Sequence, residues 1–183
     1  MKAYTLESLT ARVPLGEYRE TCVDVEKFLG LCRQCPNYGK IWACPPLSLD
    51  PMEIWNRYEI LELHAGILTP GENMSMEELM EAFRLEKLRL SRQVLDLERK
   101  IPGSLSMAAS TCIECSPCLR TLGKPCCHPE QLRYSIEARG GDVGLTMEKY
   151  LGHPIQWAKP GEIPPYMTVA AGLLLPGKGK RGD

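Results

Sequence analysis

The chain has almost no net charge: 22 Lys and Arg stand against 23 Asp and Glu in 183 residues, which leaves −1 at pH 7. No global field draws in a polyanion, so nucleic acid is disfavoured as a partner. Long apolar runs are missing as well. The longest near the end, Val169 to Leu175, falls far short of the roughly 20 residues that a bilayer-crossing helix needs, and no membrane span is expected. The opening stretch MKAYTLESLTARVPLGEYRE has no apolar h-region and no small-residue cleavage site. A cytoplasmic protein with reduced thiols is therefore expected. Gly140, Gly141 and Gly144 fit neither the GxGxxG nor the Walker pattern of a phosphate loop. Neither a Ser-His-Asp set nor a pair of catalytic carboxylates can be argued from the order of residues.

What the chain does have is cysteine, nine in all. A disulfide framework is the bland explanation. It fits poorly, because an odd count resists complete pairing and a chain of this length buries most of its unfolded surface without covalent staples. Hydrophobic residues at 44% and charged residues at 25% are ordinary globular usage. The expectation is a single domain over 1–183, with cysteine-rich loops at 22–46 and 112–129 and a polar, flexible tail at 176–183.

The run CIECSPCLRTLGKPC holds Cys112, Cys115 and Cys118 at steps of three, with Cys126 following. Overlapping CxxCxxC steps wrap three thiolates around one turn of irregular backbone, where they can converge on a compact inorganic cube. Structural zinc more often takes two separated CxxC pairs. An iron–sulfur cluster of the 4Fe-4S type, one or two per chain, is therefore favoured over zinc. Upstream, LCRQCPNYGKIWACPP supplies Cys32, Cys35 and Cys44, and Cys22 is a candidate fourth member ten positions before Cys32. Cys44 precedes Pro45 and Pro46, like the Cys-Pro ending of bacterial ferredoxin runs, where the last cysteine serves the other cluster. Cys44 is thus a ligand either of an upstream centre or of the downstream one.

The clearest regular element starts at Ser75, which pairs with Glu78 as a capping box. Met76, Met80, Phe83, Leu90, Val94, Leu97 and Ile101 follow at helical spacing until Pro102 and Gly103. Lys87 interrupts that apolar stripe, which suits packing on a sheet better than a coiled coil. Strands are expected over Tyr58–Leu68, Ser104–Ser110 and Met167–Leu175, the last buried on both faces. Shorter helices are expected at Val23–Leu31 and Glu130–Arg139, the second placing Cys126, Cys127 and His128 at its N-terminus, where N–H groups favour thiolate charge. The fold class is α+β or α/β: a small sheet covered by a long amphipathic helix, with metal-binding cysteine loops.

The two segments LCRQCPNYGKIWACPP and CIECSPCLRTLGKPCCHPEQLRYSIEARGGDV resemble the family of predicted metal-binding proteins known as domain of unknown function 2284. Cys32, Cys35, Tyr38, Gly39, Trp42, Cys44, Pro45 and Pro46 carry the first half of its pattern. Cys112, Cys115, Cys118, Pro125, Cys126, His128, Pro129, Ser135, Glu137 and Ala138 carry the second. The resemblance spans nearly the whole chain. It implies a metal, an iron–sulfur centre, in a cytoplasmic protein of anaerobic or facultative metabolism, and it supplies no activity. Cys127 stands where that pattern has a polar or basic residue, and Cys22 lies outside it.

Around the cysteines, Tyr38 and Trp42 are either cluster shields or loop packing. His128 reads as a neighbour of the metal rather than a ligand, His64 and His153 as structural, and Glu137 as a solvated carboxylate rather than a proton-transfer group. Three functions remain. The first is a one-electron carrier or accessory of a redox enzyme, working with a redox partner protein. The second is an enzyme whose open-site cluster binds or reduces a small substrate. The third is a zinc-stabilised interaction module.

Overall fold

A computed structural model describes residues 4–157, 159 and 161–177. Its frame is a sheet of four strands, β1 (Tyr4–Pro14), β2 (Ile60–Pro70), β3 (Leu105–Met107) and β4 (Met167–Leu175). They lie in the order β1-β2-β4-β3, and every neighbouring pair is antiparallel. Five α-helices accompany it among the described residues: α1 (Leu15–Cys22), α2 (Val25–Arg33), α3 (Pro51–Arg57), α4 (Met76–Lys100) and α5 (Val143–Leu151). With no parallel crossover, the arrangement is α+β.

Helix α4 covers one face of the sheet. Ser75 Oγ accepts from the Glu78 N–H at 3.2 Å and the Glu78 carboxylate accepts from the Ser75 N–H at 2.8 Å, so both first-turn donors are satisfied, as the sequence predicts. Leu90 and Val94 pack on Ala109, Val169 and Ala171, while Leu79 and Ala82 pack on Leu68. The opposite face is lined by Leu61, Leu63, Met107 and Leu174, which meet Tyr18, Trp55 and Ile136. Strand β4 contributes Val169 and Ala171 to one layer and Leu174 to the other, which is why its sequence is apolar without alternation.

Several sequence expectations change. Strand β1 escapes the alternation rule because it switches faces: Tyr4 and Leu6 pack on the α4 side, whereas Leu9, Ala11 and Val13 pack on the other. The expected strand over 104–110 pairs only at Leu105–Met107, after which Ala108 bridges to Ser135 and Ser110 adopts φ 61°. The helix expected over Glu130–Arg139 does not form; only a short 3₁₀ turn at Glu137–Arg139 is present. Its backbone groups are taken elsewhere. The Tyr134 carbonyl accepts from Ala108 N–H at 3.1 Å, and the Leu132 carbonyl accepts from the Arg133 guanidinium at 2.7 Å. Sheet extension thus outcompetes local helix propensity. The tail reading at 176–183 lies outside the described residues from 178 onward, and no described helix is long and apolar enough to cross a membrane.

Candidate metal centre

The downstream cysteines hang from the end of β3. Glu98 on α4 fixes that end, because its carboxylate accepts from Ser106 N–H at 2.6 Å and from the Arg133 guanidinium at 2.8 and 2.6 Å. Ser91 Oγ accepts from Ala109 N–H at 3.1 Å, and Arg92 holds Glu114 at 2.8 Å. The long helix therefore grips the loop before and after Cys112.

Cys112, Cys115, Cys118 and Cys126 line one narrow cleft, closed on its other sides by Trp42, His128 and neighbouring apolar groups. The free space is small, about 10 Å³. The Glu114 N–H bonds to the Cys112 sulfur, and the His128 N–H lies 3.4 Å from the Cys126 sulfur. Burial pushes the Cys112 thiol up. Cys115 is pushed up to about 11 by burial and by the nearby thiols of Cys127, Cys118 and Cys112. His128 thus contributes its backbone N–H and a wall of the cleft. The helix N-terminus expected to favour thiolate charge at Cys126 to His128 is absent, since the following residues are not helical.

The upstream cysteines follow from α2, whose N-cap Asp24 accepts from Lys27 N–H at 2.9 Å and whose last turn carries Cys32. Tight turns succeed one another: Cys35 N–H to Cys32 O at 3.0 Å, Tyr38 N–H to Cys35 O at 3.1 Å, and Cys44 N–H to Ile41 O at 3.0 Å. Burial pushes Cys32 and Cys44 up, and the nearby thiols add to it, Cys44 and Cys35 acting on Cys32 and Cys35 on Cys44.

The two loops are fastened together. Arg120, between Cys118 and Cys126 in the chain, donates to the carbonyls of Ile41, Cys44 and Pro46 at 2.8, 2.7 and 3.1 Å. Its guanidinium lies 5.0 Å from the centre of the Trp42 ring, whose Nε1–H donates to the Lys124 carbonyl at 3.0 Å. The Cys44 sulfur sits 3.1 Å from Thr111 Oγ1, one residue before Cys112. Trp42 is therefore part of the joint between the loops. Cys22 is not brought to either group: it is 2% exposed and packs in the core with Tyr18 and Trp55.

Among the described residues, no three His, Cys, Asp or Glu side chains already stand in the geometry that holds a metal ion. The donor set nonetheless fits a soft cation. Four thiols share one cleft, burial and neighbouring charge penalise the ionised forms of Cys112 and Cys115, and a bound cation relieves both penalties.

Two residues that matter here were visible but not interpretable in the sequence. Lys87, which breaks the α4 stripe, is only 7% exposed, and the charges of Glu137, Cys112 and Cys44 all act on it. Glu137 is not the solvated carboxylate that its short segment suggests: burial pushes its carboxyl up, and it bonds to the Ser135 side chain and a backbone N–H. Arg120 carried no signal at all. His64 is structural as expected, 2.9 Å from Glu62 in β2, and His153 stacks edge-on with Tyr166 at 5.3 Å.

No curated protein and no solved structure matches the chain. One family model does, over residues 19–175, a span that takes in both cysteine loops, α4 and β4. On that match, the chain belongs to the family described as predicted metal-binding protein (DUF2284).

Proposed function

We propose that the chain is an iron–sulfur protein that passes single electrons to a partner redox protein or enzyme. The observation that carries this reading is the shared cleft of Cys112, Cys115, Cys118 and Cys126, spaced CxxCxxC with a fourth thiol from the same loop. A cubane, when bound, supplies the one-electron chemistry. The chain supplies the rest: four thiolates, N–H groups of Glu114 and His128 directed at sulfur, and Trp42 excluding water. Such hydrogen bonds and burial are the protein's means of setting a potential. Cys32, Cys35 and Cys44 form a second thiol group beside the first. Three thiols are one donor short of a complete cubane set.

A second reading is zinc in a structural role, and the narrowness of the cleft favours it: about 10 Å³ suits one ion more readily than a cube of eight atoms. Anaerobic purification followed by iron, zinc and acid-labile sulfide assays separates the two. The iron reading expects a brown protein with sulfide roughly equimolar to iron, the composition of a cubane. A colourless, zinc-loaded, sulfide-free protein overturns it.

A further inference from the structure

A cavity of about 390 Å³ opens between α4, β4 and the segment around Trp157. That size is ordinary for a small-molecule site. Its walls are mostly apolar, with Phe83, Val169 and Trp157 presenting large hydrophobic surfaces. Trp157 is 81% exposed and stands at the rim.

Five polar residues interrupt this apolar lining: Lys87, Ser110, Glu137, Gln156 and Thr168. Lys87 is 93% buried by the complement of its 7% exposure, and among the described residues it makes no hydrogen bond and no ion pair. Thr168 Oγ1 is buried without a hydrogen-bond partner, on the face of β4 turned away from Val169 and α4. Glu137 acts on the charge of Lys87 but does not contact it as an ion pair, and its carboxylate is already bonded to the Ser135 side chain and a backbone N–H. A lysine so largely withdrawn from water, with no counter-ion of its own, favours an anionic partner. A ligand carboxylate supplies that partner.

Ser110 adds a second sign of a built site. It lines the cavity at φ 61°, a left-handed conformation that non-glycine residues seldom hold, two residues before Cys112.

We propose that this cavity binds a small organic acid with an apolar, ring-sized body, its carboxylate held by Lys87 and its body lying between Phe83 and Trp157. Bound so, the carboxylate end points toward the side on which Cys44 and Cys112 lie, since both act on Lys87. The proposal does not depend on which metal the thiols carry.

The test is calorimetric titration of the full chain, in whatever metal state it is purified, with phenylacetate, phenylacetamide and L-phenylalanine as probes. Phenylacetate is expected to bind one site per chain, and the uncharged amide at least tenfold more weakly. Lys87→Met should abolish that preference, while Trp157→Ala weakens acid and amide alike; thermal melts confirm that each variant folds. Glu137→Gln should leave phenylacetate binding intact or tighter. Equal binding of acid and amide, tighter binding of the zwitterion, an unchanged preference in Lys87→Met, or no binding up to millimolar probe overturns the proposal. Metal and sulfide assays on the same sample report on the iron reading separately, so either idea can fail alone.

Discussion

The Arg120 guanidinium donates to the Cys44 carbonyl at 2.7 Å, so a residue inside one cysteine run holds the backbone of the other. With the Ile41 and Pro46 carbonyls also bound and Trp42 beneath the guanidinium, this side chain joins loops that are 76 residues apart. Fixing several carbonyls at once needs the planar, multiply donating head of arginine. Lysine cannot reproduce it.

Arg120→Met should therefore lower stability by about 1.5–3 kcal/mol, the usual cost of losing charge-assisted hydrogen bonds. The same variant should lose bound metal faster to a chelator, because Trp42 and the 41–46 backbone no longer close the cleft. Chemical denaturation and chelator-release kinetics measure both. Wild-type release rates in Arg120→Met would show that the clamp is irrelevant to the centre.

Cys115→Ala should remove the metal held by the downstream group, since only four thiols there line the cleft and the loss leaves three. Cys22→Ala should leave metal content unchanged, because Cys22 packs in the core; its cost is stability, about 1 kcal/mol or more for a lost buried sulfur. Metal analysis of the two purified variants gives opposite answers if the placement is right.

The Glu98 carboxyl lies in a partly buried position that by itself would raise its pKa, but the hydrogen bonds from Arg133 and Ser106 outweigh burial and hold it below the usual range. A carboxyl depressed in the folded state adds stability that is fully present above its unfolded pKa of about 4.3 and is lost as pH falls through the lower folded value. Unfolding free energy should thus decline below about pH 4.5. Glu98→Gln should be less stable by about 1.5–3 kcal/mol at pH 7 and show a shallower acid slope. Denaturant titrations between neutral pH and acid, on both proteins, decide it.

Gly140 sits at φ 85°, and a Cβ there would lie 2.6 Å from the Cα of Val25 at the start of α2. Gly140→Ala should cost more than the roughly 1–2 kcal/mol of left-handed strain alone, because backbone must also move. Gly39, at φ 69° with open space around it, supplies the comparison: Ala there carries the strain without the clash. Equal melting temperatures for the two variants would remove the packing argument.

Much was legible in advance where a signal is local. The capping box at Ser75 and the stop at Pro102 bound α4, the apolar run Met167–Leu175 became the doubly covered β4, and the helix expected at Val23–Leu31 matches α2 to within two residues. The errors have physical causes. Glu130–Arg139 has helical composition, but the Tyr134 carbonyl and Ser135 are drawn to Ala108, and the pull comes from 26 or more residues away. Strand β1 hides because its apolar side chains serve both faces of the sheet, so it has no clean period of two.

The chemistry divides the same way. Cysteine type and spacing are covalent facts of one short segment, so the chain alone fixes that Cys112, Cys115 and Cys118 are available to one centre. Distance between segments is not written in any segment. Only the folded packing of α4 against β3 and β4 could bring Cys44 beside Thr111, turn Arg120 into a clamp, retire Cys22 to the core and bury Lys87 without a partner, because each of those outcomes depends on which surfaces meet when apolar area leaves water.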